Sequence, residues 1–98
     1  MDEVLCLCAV DFAGRSAFVM DAEFKSSMVG EFPTQCVYDF FKAFSDSAQI
    51  NLQLKVFNAR NDHHVIEAMF KAFARAVREA CEMDPRALDS IPSTKGVL

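Results

Sequence analysis

Tryptophan is absent from the chain, and tyrosine occurs once against ten phenylalanines. The aromatic part of any core must therefore be phenylalanine. No apolar run approaches the ~18–20 residues that a membrane-spanning helix needs, which argues against a membrane protein. Positive charge is not in excess: 10 Lys and Arg face 14 Asp and Glu, for a net charge of −4. An acidic chain offers no electrostatic footprint for nucleic acid. The four cysteines, Cys6, Cys8, Cys36 and Cys81, contain no C-x-x-C pair. They read as reduced, buried side chains of a cytoplasmic protein rather than as a disulfide framework or a metal site. Basic residues are missing ahead of the first apolar run. Asp2 and Glu3 stand there instead, so that run does not read as a signal peptide. Repeats, low-complexity tracts and linkers are also missing.

What is present is a globular composition, 52% apolar and 24% charged, which excludes a disordered chain. Residues 1–98 make one small domain. Its core is modest, because a chain of this size buries only about 60–65% of its unfolded surface. Residues 4–12 are almost continuously apolar and read as a buried strand. A turn at Ala13-Gly14-Arg15 leads into a second strand at 16–24, and the two are expected to pair as an antiparallel hairpin. Residues 25–30 are loop-like, and 29–32 can add a short third strand.

Pro33 and Thr34 are expected to open a helix, since a first-turn proline loses no hydrogen bond. Val37, Phe40, Phe41, Phe44 and Ala48 give it an apolar stripe, and residues 45–49 end it. Residues 50–57 alternate as a half-buried strand, with Ile50, Leu52, Leu54 and Val56 inward and Asn51, Gln53 and Lys55 outward. A long helix follows to about residue 82, capped by Asn61 or Asp62, with a stripe of Ile66, Phe70, Phe73, Val77 and Cys81 widened by Met69, Ala76 and Ala80. The order β-β-β-α-β-α predicts an α+β two-layer sandwich: a mixed four-stranded sheet with both helices packed on its apolar face.

Both histidines of the chain are adjacent, at the start of the second helix. His63 and Glu67 are four residues apart and share one helix face. His64 points about 100° away and must address a different centre. Imidazole and carboxylate suit zinc, manganese or iron. Three such groups cannot complete a metal shell, so a pair of solvated histidines stays an open alternative. The spacing is not the His-Glu-x-x-His of zinc proteases. Asp39 on the first helix is a possible further ligand, although an acid beside core aromatics often faces solvent. Arg15, Lys71, Ser93 and Lys95 form a second set, because guanidinium, ammonium and hydroxyl are the groups an oxyanion needs. Arg15 and Lys71 read equally as ordinary surface charges.

These stretches together resemble the C-terminal half of imidazoleglycerol-phosphate dehydratase, over essentially the whole chain. Met1-Asp2-Glu3 resembles the start of that half. Asp11-Phe12-Ala13-Gly14-Arg15 resembles its Asp-x-Ser-Gly-Arg turn, and Val29-Gly30-Glu31-Phe32-Pro33-Thr34 its Val-Gly-Asp-x-x-Thr segment. Asn61-Asp62-His63-His64 with Glu67 and Phe70-Lys71-Ala72 resembles its His-His-x-x-Glu helix. Pro92-Ser93-Thr94-Lys95-Gly96-Val97-Leu98 resembles its ending. The chain departs from the family at Asp39, where many members have histidine, and at Gln53, another common histidine position. Ala13 and Ala59 replace a serine and a glycine.

The resemblance implies removal of water from imidazole glycerol phosphate in histidine biosynthesis. It implies two manganese ions bridged by the substrate imidazole, and no organic cofactor. His63, His64 and Glu67 would be ligands, with Asp39 a weaker one and Glu67 also catalytic. Arg15, Lys71, Ser93 and Lys95 would hold the substrate phosphate. Family chains carry two similar halves and assemble into homo-oligomers with shared sites. The missing N-terminal half would be the necessary partner, and this chain reads as a fragment, with a non-catalytic, self-associating module as the alternative.

Overall fold

Seven elements organise the computed structural model, which describes residues 3–82. They are β1 (Cys6–Asp11), β2 (Ala17–Asp21), β3 (Met28–Val29), β4 (Phe32–Pro33), α1 (Gln35–Ala48), β5 (Asn51–Val56) and α2 (Asp62–Cys81). The main sheet has the order β1-β5-β2, with β5 antiparallel to β1 and parallel to β2. The fold is the expected α+β type with a mixed sheet, but two details differ.

First, β1 and β2 are not a hairpin, because β5 lies between them. The reason is burial. Leu52 and Leu54 of β5 are 0% and 1% exposed, and a central position with both edges covered gives that strand the deepest burial in the sheet. Next-but-one strands lie only about 10 Å apart, a gap that residues 12–16 span easily. Second, residues 28–33 do not extend the main sheet. The chain reverses at Gly30 (φ 59) and pairs Met28 with Pro33 and Val29 with Phe32. The expected four-stranded sheet is therefore three strands plus a small separate hairpin. Pro33 accordingly ends β4 rather than opening α1.

The strand register puts Cys6, Cys8 and Val10, Leu52, Leu54 and Val56, and Phe18 and Met20 on one face. Both helices pack there: α2 on β1 and β5, α1 beside β2. The buried residues of α2 are Val65, Ala68 and Met69; Met69 lies in the expected stripe, and Val65 and Ala68 shift the strip to one side of it. The expected residues Phe70 and Phe73 instead meet α1, with ring centroids 4.8 Å apart for Phe41–Phe70 and 4.9 Å for Phe44–Phe73. Phenylalanine thus fills the seam between the helices, while smaller side chains sit on the sheet. On α1 the buried residues are Val37, Phe41 and Ser45, whereas Phe40 is 46% exposed and Ala48 is exposed. Ser45 is tolerated in the core because its hydroxyl donates to backbone carbonyls, 3.0 Å from Ala17 and 2.8 Å from Ile50. Among the described residues no helix is long and apolar enough to cross a membrane.

Candidate metal centre

The paired histidines stand in the first turn of α2. Asn61 caps that turn: its side chain accepts the backbone N–H of His64 at 3.1 Å. Asp62, the first helical residue, is not the cap. Its carboxylate accepts the backbone N–H groups of Lys25 (2.9 Å) and Ser26 (2.8 Å), tying α2 to the loop before β3.

The two imidazoles diverge as the helical step requires, with ring centroids 6.2 Å apart and planes at 73°. His63 is exposed. With Glu67, Ile66, Val29 and Phe32 it lines a cleft of about 190 Å³. Glu67 Oε2 is buried there and has no hydrogen-bond partner among the described residues. A buried carboxylate oxygen without a partner is costly, and Glu67 also lines the cleft walled by Val29 and Phe32. His64 is half-buried on the other side, and its Nδ1 lies 2.9 Å from Glu3 Oε1. That hydrogen bond is the main reason the Glu3 carboxyl lies below its ordinary value.

Asp39 is exposed on α1, and no three His, Cys, Asp or Glu side chains come together among the described residues. One copy of the described chain therefore brings His63 and Glu67 together and leaves His64 and Asp39 apart from them. Nitrogen and oxygen donors with one orphaned carboxylate oxygen fit a divalent cation such as manganese. They fit it as part of a shell, with other ligands from elsewhere.

The oxyanion candidates are also divided. Lys71 lines a second cleft, of about 410 Å³, with Val4, Leu5, Cys6, Ala68, Ala72 and Arg75. Arg15 is exposed in the turn that leaves the Asp11 end of β1, whereas the Lys71 cleft is bounded by the Cys6 end. Ser93 and Lys95 lie outside the described residues. Gln53 is exposed on the outer face of β5. Burial also pushes the Cys8 thiol up to about 11, which makes it a poor thiolate at neutral pH.

Sequence reasoning missed three residues. Arg75 could have been found, since it follows Lys71 by four on the same helix face. Asp62 was read only as a possible cap. Glu3 gave no local signal for its pairing with His64, which is 61 residues away.

The family model described as imidazoleglycerol-phosphate dehydratase matches residues 1–77. Over 98 residues the chain is 53% identical to the "Histidine biosynthesis bifunctional protein HisB" of Spirosoma linguale, covering 100% of this chain and 25% of that protein. It is 51% identical to the imidazoleglycerol-phosphate dehydratase of Koribacter versatilis, covering 100% of this chain and 50% of that one. The crystal structure of imidazoleglycerol-phosphate dehydratase from Staphylococcus aureus matches with a TM-score of 0.77 and 39% identity, over 79% of this chain and 45% of the other. The chain thus spans about half the length of these two dehydratases. It belongs to the imidazoleglycerol-phosphate dehydratase family.

Proposed function

We propose that the chain is the C-terminal half of a manganese-dependent hydro-lyase. The reaction is dehydration of imidazole glycerol phosphate to imidazole acetol phosphate, in cytoplasmic histidine biosynthesis. The observation that carries this reading is Glu67, whose Oε2 is buried without a partner among the described residues and which lines a cleft with His63 at the head of the His-His-x-x-Glu helix.

In this reading His63 and Glu67 hold one of two manganese ions, His64 contributes to the other, and Asp39 is a weaker ligand supplied to a site in the assembly. A bound divalent ion supplies Lewis-acid stabilisation of charge that develops as a C–H proton and a hydroxyl are lost. The chain's own groups prepare for this. Glu3 takes Nδ1 of His64, which orients the ring so that a metal bond would use Nε2. Val29 and Phe32 keep the wall around Glu67 apolar, so its charge is opposed by a cation rather than by water. Lys71 stands one turn beyond Glu67, suitably placed for the phosphate of a substrate whose imidazole lies at the helix start. Arg15, Ser93 and Lys95, from this or another copy of the chain, complete the phosphate site once the full site is assembled. No organic cofactor is needed.

Two ligands on one face cannot make a competent centre. Full turnover therefore needs the N-terminal half within a homo-oligomer. The test is an assay of the purified chain with manganese, alone and mixed with the separately expressed N-terminal half. Activity only on mixing is expected; turnover by this chain alone, near that of a complete dehydratase, would refute the reading. A second reading, a non-catalytic module that folds, binds metal and self-associates, is favoured by the exposed aromatic side chains Tyr38 and Phe40, 45% and 46% exposed. It predicts a metal-dependent oligomer that stays inactive after mixing.

A further inference from the structure

The β3–β4 hairpin consists of two strands of two residues each. A ribbon that short has too few hydrogen bonds to hold itself in place, so its position must be imposed from outside. One foot is held by Asp62. Its two carboxylate oxygens accept one backbone N–H each, from Lys25 at 2.9 Å and Ser26 at 2.8 Å. The other foot is held by Thr34, whose N–H donates to Ser27 O at 2.9 Å and whose hydroxyl donates to Ser26 O at 2.8 Å. Between these feet Val29 and Phe32 pair across the hairpin and form the apolar wall against Ile66 and Glu67.

We propose that Asp62 is a positioning residue: it clamps the β3–β4 hairpin to the first turn of α2 and thereby closes the wall over Glu67. The clamp and the candidate ligands share one rigid helix start, so wall and ligands keep their spacing when other chains dock. A carboxylate is needed rather than any polar group. Its two oxygens accept from two donors, and charge-assisted bonds are about twice as strong as neutral ones. An asparagine could accept only one of the two N–H groups and would turn its own N–H₂ towards the other. The functional consequence, cation affinity at Glu67, rests on the reading of Glu67 as a metal ligand; the clamp itself does not.

The test uses the whole 98-residue chain as wild type, Asp62→Asn, Asp62→Glu and Thr34→Val. Carboxyl footprinting with a carbodiimide and an amine, read by mass spectrometry, reports access to Glu67. Amide exchange reports the Lys25 and Ser26 N–H groups. Losing one charge-assisted bond should raise Glu67 labelling and both exchange rates about tenfold in Asp62→Asn. Asp62→Glu, which keeps two acceptor oxygens, should restore much of the protection. Thr34→Val removes the hydroxyl bond to Ser26 O but keeps the backbone bond to Ser27 O; it loosens the other foot without touching α2 and should raise Glu67 labelling by a smaller factor. Helix destabilisation alone would lower the melting temperature without this rescue pattern. Labelling of Glu67 in Asp62→Asn as slow as in wild type would overturn the clamp. Manganese titration separates the two readings. About tenfold weaker binding by Asp62→Asn than by wild type supports the link to a cation site, and equal binding overturns that link. No manganese binding by wild type, alone or mixed with the separately expressed N-terminal half, with labelling raised in the variant, would overturn the metal reading and uphold the clamp.

Discussion

His63 and His64 are adjacent in the chain and face opposite conditions. His64 is half-buried and has an acid in hand, Glu3 at 2.9 Å. His63 is exposed, and the acid on its side, Glu67, keeps one buried oxygen without a partner among the described residues. The cause is one helical step, about 100°. It turns one ring towards the N-terminal segment and the other towards the β3–β4 hairpin. The difference separates two uses of the same residue type. An imidazole already oriented by a carboxylate is prepared to use its remaining nitrogen, whereas a buried carboxylate oxygen without a partner calls for a donor or a cation from elsewhere.

Both sides hang from the same buried strip of α2. Truncating it should therefore abolish the contrast altogether. Met69 is 0% exposed, and Met69→Ala should cost about 2–5 kcal/mol, read as a lower denaturant midpoint. Loss of amide protection at Lys25 and Ser26, and loss of the Glu3–His64 side-chain contact, should accompany it. A variant with wild-type stability would show that the strip does not organise the helix start.

The next effect breaks only the His63 side. Glu67→Met replaces a partly buried acid with an apolar side chain of similar length. The metal-free chain should be stabilised by up to about 1–3 kcal/mol, since an unsatisfied buried group is removed, while any rise in melting temperature with manganese disappears. Lower metal-free stability would mean that Glu67 has a partner in solution.

A smaller effect isolates the His64 side. Hydrogen bonding to His64 holds the Glu3 carboxyl below its ordinary value of 4.5. The unfolded chain therefore binds that proton more readily than the folded one. The pair's contribution is present above about pH 4.5 and is lost as pH falls through the lowered Glu3 value. Glu3→Gln should flatten the acid limb of the stability profile, with the manganese response of the His63 side kept. An unchanged acid limb would remove Glu3 from the pair.

The smallest effect is a control for both. Lys42 and Asp46 form an exposed i,i+4 pair at 2.9 Å, with the same distance as Glu3–His64 but no neighbouring ligand group. Lys42→Ala should leave melting unchanged within error, because solvent screens such pairs. A measurable loss would mean that short distance alone, without burial, accounts for the behaviour at α2.

Much of the fold was legible because periodicity is a local property. The alternation of Ile50, Leu52, Leu54 and Val56 marks β5, and the Asn61-Asp62 pair marks the start of α2. Strand neighbours were not legible. A loop of five residues between β1 and β2 permits either a hairpin or a third strand between them, and only the burial of Leu52 and Leu54 decides for the latter. The phenylalanines of α2 announced an apolar stripe correctly, but not that it would meet α1 rather than the sheet.

The divergence of His63 and His64 was determined by sequence alone, since helix geometry admits no other outcome once Asn61 caps the turn. So was the shared face of His63 and Glu67, and the acidic charge that disfavours nucleic acid. Tertiary structure alone decided which acid met which group. Glu3 came to His64 across 61 residues, Asp62 took the loop at Lys25 and Ser26, and Glu67 was left with one oxygen unpaired among the described residues. The physical reason is range: helix and strand patterns are set by neighbours a few residues apart, whereas the partner of a carboxylate depends on which distant backbone the packed core delivers to it.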